Sequence, residues 1–158
     1  WVDRPLPLRP GTVAPVRVQL RTHRGESITE TLPVRIPEGA PSGSYTLLVA
    51  DAATMDAVEA REKRQGLAPR DLAQLLRTLN TLRPGSRIYA RLTRPAGGAV
   101  VAGEYLPALP GSVLSVLGSS DQGTSVVPLA ASPVWSGEIA TSRAVSGWRQ
   151  LTLAVERW

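Results

Sequence analysis

From residue 16 onward, apolar side chains recur at every second position, and the runs that carry them are cut short by glycine or proline. Val16, Val18 and Leu20 alternate with Arg17, Gln19 and Arg21. Leu32, Val34 and Ile36 repeat the pattern, as do Tyr45, Leu47 and Val49. Successive side chains of an extended strand point to opposite faces, so this spacing describes strands with one buried face. The 14 Gly and 14 Pro are spread along the chain. Both residues interrupt helices and favour turns and strand ends, which argues against a helical bundle. Aromatic residues make up only 4% and Phe is absent, so the core is expected to consist of Leu, Val, Ile and Ala, anchored by a few Trp and Tyr.

The organisation follows from this punctuation. Residues 1–11, with Pro5, Pro7 and Pro10, read as a stiff extended lead-in ending in a turn. His23-Arg24-Gly25-Glu26 reads as a turn between the first two strands, and 37–43 as a tight connection to the third. Val34-Arg35-Ile36-Pro37, followed by Pro41-Ser42-Gly43 and Tyr45-x-Leu47-x-Val49, resembles the end of many immunoglobulin-like domains. Beyond Asp51 the texture changes. Residues 54–65 lack Pro and Gly and place Glu59 and Lys63 at a helix-supporting i,i+4 spacing. Pro69 suits a first helical turn. Leu72, Leu75, Leu76, Leu79 and Leu82 then mark one apolar helix face, which Pro84-Gly85 ends.

Strands resume with Ile88, Ala90 and Leu92. Ala96-Gly97-Gly98 reads as a hairpin turn with its partner strand at 99–102. Ser112 is placed to cap a short helical turn, and strand-like segments follow at 126–130, 134–141 and 148–155. The expected fold is therefore mainly β: one domain over 1–158, an immunoglobulin-like β-sandwich with a two-helix insertion at about 52–83.

Chemistry is sparse. Without Cys, a disulfide, a Cys-ligated zinc and a Cys nucleophile are all excluded. The single His, His23, falls in a predicted turn, and no G-x-S-x-G elbow occurs. Asp56, Glu59 and Glu62 share one helix face, where a salt-bridged surface explains them better than a calcium site. The glycine-containing stretches precede strands, whereas a phosphate cradle needs a following helix N-terminus. No catalytic residue, metal ligand or cofactor is expected.

Two surface readings remain open. Trp1, Trp135, Trp148 and Trp158 are candidates for sugar stacking, with Trp135 and Trp148 the chosen pair for a glycan module; core anchoring is the competing reading. The net charge of +5 rests on 17 Arg and one Lys, dispersed without a basic run, so nucleic acid is not an expected partner. Arg17, Arg21, Arg87 and Arg91 are expected to face solvent from the outer side of two strands. No apolar run approaches the roughly 20 residues that span a bilayer, so membrane insertion is not expected. The opening Trp1-Val2-Asp3 carries no initiator Met and reads as part of a longer chain.

In order, Pro10-Gly11, Val16-x-Val18-x-Leu20-Arg21, Leu75-x-x-x-Leu79-Asn80-x-Leu82-Arg83, Arg87-Ile88-Tyr89-Ala90-Arg91-Leu92, Leu106-Pro107-x-Leu109-Pro110 and Val145-Ser146-Gly147 run through most of the chain. Together they resemble the region C-terminal to the peptidase-like domain in large acidobacterial envelope proteins related to SpoIVB-type serine peptidases. The resemblance implies an extracytoplasmic accessory domain without activity of its own, whose partners are other domains of the same parent chain. The rival expectation is a glycan- or peptide-binding module of the cell envelope.

Overall fold

A computed structural model describes residues 7–63, 82–101, 104–106, 110, 112–113, 116 and 126–157. It is mainly β, with two antiparallel sheets. The smaller sheet is a hairpin of β1 (Val13–Arg21) and β2 (Ser27–Arg35), in register from Val13 opposite Arg35 to Arg21 opposite Ser27. Pro15 and Pro33 face each other across it. Each strand of a two-stranded sheet has a free edge, which is where proline is tolerated.

The larger sheet is built around β4 (Arg87–Val101). β6 (Val126–Ala140) pairs with β4 along its length, from Arg87 opposite Ala140 to Val101 opposite Val126. A strand has only two edges. β3 (Gly43–Ala50) and β5 (Glu104–Leu106) therefore follow one another along the other edge, opposite residues 89–93 and 99–101 of β4. β7 (Trp148–Val155) lies outside β3. The lead-in adds one bridge: Leu8 runs parallel to β7, its N–H 2.8 Å from the Ala154 carbonyl and its own carbonyl accepting from Glu156 N–H at 3.0 Å.

The hairpin packs on one face of this sheet. Its inward residues Ala14, Val16, Leu32 and Val34 meet Tyr45, Leu47, Ile88, Leu92 and Leu153, all essentially inaccessible. The opposite face carries α1 (Ala52–Lys63), packed through Ala52 and Met55 on Ala50 and Tyr89. The order hairpin, sheet, helix makes three layers.

The strands at 13–21, 27–35, 43–50 and 148–155 match the alternation in sequence. Two expectations change. Ala96-Gly97-Gly98 is not a hairpin turn: β4 continues through it, with a register shift between Pro95 and Gly98 against β6. Glycine permits such a bulge, and fifteen-residue β6 gives β4 a partner on both sides of it. Val126–Ala140 is likewise one strand, where a break at 131–133 was expected. Of the two-helix insertion, one helix is present, α1; the second expected helix at about 69–82, with Leu72, Leu75, Leu76 and Leu79, lies outside the described residues. Leu82, at its expected end, is exposed.

Candidate functional site

Burial of the inward faces changes steadily along the sandwich. On β1, Ala14 and Val16 are buried, but Val18 and Leu20 are only half-buried. On β2, Leu32 and Val34 give way to half-buried Glu30 and Ile28. On β7, Val155 and Leu153 give way to half-buried Leu151 and exposed Arg149. The two layers thus meet at one end and separate at the other, forming a wedge. Two charged residues, Glu30 and Arg149, stand at inward positions of the alternation near its open end. Burying either without a partner is costly, so these positions resist closure and keep contact with water. The open end forms a groove of about 1100 Å³ between the hairpin and the sheet.

The floor of the groove is the segment 141–147, which carries the chain from β6 at one edge of the sheet to β7 at the other. It crosses the ends of β4 and β3 and is tied to both. Thr141 N–H donates to the Ser86 carbonyl at 2.8 Å, and Val145 N–H to the Gly85 carbonyl at 3.0 Å. Asp51 makes the third tie. One carboxylate oxygen caps α1 by accepting from Thr54 N–H at 2.7 Å, and the other accepts from Gly147 N–H at 2.6 Å. Asp51 N–H also donates to the Gly147 carbonyl at 3.0 Å. Burial by itself would raise the Asp51 pKa; the donors of Gly147 and Thr54 outweigh it and hold the carboxyl below its ordinary value. Gly147 has φ +109°, a backbone geometry that L side chains rarely adopt, so glycine suits this clamp.

The groove is cationic. Arg17, Arg21, Arg24, Arg143 and Arg149 line it against Glu26 and Glu30, an excess of three positive charges. Its apolar lining is mainly aliphatic, with Val18, Leu20 and Ile28 from the hairpin and Ile88, Val145 and Leu151 from the sheet and floor, and includes Trp148 at its margin.

The opposite face shows a different electrostatic design. α1 has a narrow apolar contact with the sheet, through Ala52 and Met55, and beside it the helix carboxylates meet arginines. Arg83 bridges Asp56 and Glu59, the latter at 2.6 Å, and sits 5.4 Å from the centre of the Tyr89 ring. Burial opposes the charge of Arg83, but the hydrogen bonds to Asp56 and Glu59 prevail and raise its pKa. Arg91 reaches Glu62 at 2.6 Å. The three carboxylates therefore serve ion pairs, and among the described residues no group of three or more His, Cys, Asp or Glu is arranged to hold a metal ion.

This corrects the expectation that Arg17, Arg21, Arg87 and Arg91 all face solvent. Only Arg91 departs from it, at 4% exposed under α1; Arg87 pairs across the sheet with Glu138 and keeps 40% of its side chain exposed. Arg17 and Arg21 are exposed on the hairpin. The helix supplies the carboxylate that a buried arginine needs, and strand alternation alone does not reveal that cover.

The structure does not bring Trp135 and Trp148 together. Trp135 stands opposite Leu92, on the hairpin side of β6, and packs partly buried against the core. Its ring lies so close to Gly137 that a Cβ there would be 2.5 Å from the ring. Trp148 stands opposite Ala50, on the helix side of β7, and is 55% exposed. The two rings thus occupy opposite faces and opposite edges. Trp1 and Trp158 lie outside the described residues. His23 is exposed in the β1–β2 turn.

The groove itself was missed in the sequence, although its signal is there. Glu30 interrupts the apolar series Ile28, Leu32, Val34, and Arg149 interrupts the series Leu151, Leu153, Val155. A charge at an inward position marks where one layer leaves the other. Asp51 before a helix was an equally legible cap. No helix among the described residues is long and apolar enough to cross a membrane. No family model matches this chain, and neither the curated proteins nor the solved structures yield a match.

Proposed function

We propose that this chain is a non-catalytic interaction domain of a larger extracytoplasmic protein, which packs on or regulates a neighbouring domain, and that the open end of the wedge is its contact surface. The observation that carries the reading is the unfinished sandwich: Val18, Leu20 and Leu151 continue the core pattern of both layers but stay half-covered. An incoming segment that covered them would complete the core. Extracytoplasmic placement and a peptidase-like neighbour rest on the family resemblance. The immunoglobulin-like part of the reading is supported by the Tyr45 hydroxyl, which donates to the Pro41 carbonyl at 2.8 Å, much as a corner tyrosine does in such sandwiches.

The test is hydrogen exchange in the full parent protein compared with the isolated domain. Amides of Leu20, Val145 and Leu151 are expected to exchange more slowly in the parent. Identical exchange in the two would remove the groove as a contact surface. The glycan reading is favoured by one feature, the exposed ring of Trp148. Titration with peptidoglycan fragments, followed by tryptophan fluorescence and lost in Trp148→Ala, would favour it over the scaffold reading.

A further inference from the structure

We infer that the occupant of the groove is an extended peptide segment in which acidic and aliphatic side chains alternate; this rests on reading the groove as a contact surface. The molecule already contains a small version of such a complex. At the closed end, Leu8 lies on the edge of β7 through two backbone hydrogen bonds, and its side chain fills the space between the layers with 2% exposure. An extended segment with its backbone along a sheet edge and an aliphatic residue between the layers is therefore the packing mode that this gap accepts.

The open end offers the same ingredients with different charges around them. Along β1 from Val16 to Arg21 the groove runs about 17 Å at the usual rise of a strand, which is room for five or six extended residues. Alternate side chains of that segment point inward and meet Val18, Leu20, Val145 and Leu151. The others point outward, toward a rim where Arg21, Arg24 and Arg143 have no ion pair among the described residues, and Arg149 stands at the mouth of the groove from its inward position on β7. Strand alternation in the occupant then matches the alternation of the site: aliphatic inside, carboxylate at the rim. Charge complementarity selects acid over base, because Arg21, Arg24, Arg143 and Arg149 outnumber Glu26 and Glu30. The aliphatic lining selects residues such as Val or Leu for the inward positions.

The experiment uses the whole 158-residue chain, isotopically labelled, and two blocked synthetic heptapeptides. One alternates Glu and Val; the other alternates Lys and Val. The Glu–Val peptide is expected to shift the amides of Val18, Leu20, Val145 and Leu151. The charge-reversed variant Arg21→Glu/Arg149→Glu, whose melting and circular dichroism confirm folding, is expected to bind it about tenfold more weakly. The Lys–Val peptide is expected to bind the original protein more weakly than the Glu–Val peptide.

Equal binding of the two peptides, shifts confined to another surface, or no shift at about 2 mM peptide, far above the affinity expected of a specific site, would each overturn the inference. Exchange protection of Leu20 and Leu151 in the parent protein, combined with any of those results, means that the groove is a contact surface with a different occupant. Absence of both effects removes the contact surface as well.

Discussion

The two ends of the sandwich are built from the same strands and end differently. At the closed end, Val34, Ile36, Tyr45, Leu153 and Val155 exclude water, and Leu8 plugs the side between the layers. At the open end, the same strands place Val18, Leu20 and Leu151 at inward positions, but Glu30 and Arg149 share the space. The contrast teaches that periodicity decides which way a side chain points, whereas its neighbours across the gap decide whether it is buried. An inward charge on each layer marks the place where the core gives way to a groove, as expected when an unpaired charge costs more to desolvate than one aliphatic residue gains on burial.

The largest expected effect tests that difference directly. Leu47→Ala, in the closed core, should lower unfolding stability by about 4 kcal/mol, whereas Leu20→Ala at the open end should cost under about 1 kcal/mol. Urea denaturation of both variants measures this, and equal losses would mean that the open end is as well packed as the closed one. Next, Leu8→Ala should cost about 2.5 kcal/mol and speed exchange of the Glu156 amide, whose acceptor is the Leu8 carbonyl. Stability unchanged by this substitution would show that the plug does not close its end.

Gly137→Ala sharpens the comparison from the β6 side. A methyl there collides with the Trp135 ring, which packs on the core, so a loss of about 1.5 kcal/mol is expected together with a shift in tryptophan fluorescence. An unaltered emission spectrum would mean that the ring does not rest on Gly137.

The smallest effect concerns the floor of the groove. Asp51→Ala removes the α1 cap and the tie to Gly147 and should cost about 1 kcal/mol, with faster exchange at Gly147 and Thr54. Asp51 also predicts a pH dependence. Its folded pKa lies below the ordinary 3.8, so the unfolded chain binds the proton more readily. The stabilisation is complete above about pH 5, declines as the pH approaches 3.8, and is lost as the pH falls through the depressed folded value. Asp51→Asn should therefore flatten the acid limb of the stability profile. A variant profile parallel to that of the original protein down to pH 2 would contradict the assignment.

The three strands of the first fifty residues and the last strand were legible because each has one face buried, and burial of one face imposes alternation. α1 was legible for a different reason: it is a stretch free of helix breakers, with Asp51 ahead of it. The course of β4 through Ala96–Gly98 was not legible. Gly-Gly is compatible with a turn and with a bulge, and only the partner strand β6 distinguishes them. The site was half-written in the sequence. Glu30 and Arg149 sit out of pattern, yet they belong to different layers, and nothing local says that they flank one groove.

Local chemistry therefore determined much of this protein by itself: where the strands of the first fifty residues and the last strand run, which of their residues face inward, and the excess of arginine over carboxylate. Steric alternation along a strand and the turn preferences of Gly and Pro act over a few residues, so a single chain segment records them. Tertiary structure alone decided which charges are buried and which surface is left open. Arg91 finds Glu62 across 29 positions, Asp51 finds Gly147 across 96, and the hairpin stops short of the sheet at 149–151. Such pairings depend on the folded path of the whole chain. The desolvation cost of a charge is met only where that path delivers a partner, and where it does not, the chain keeps a groove open to water.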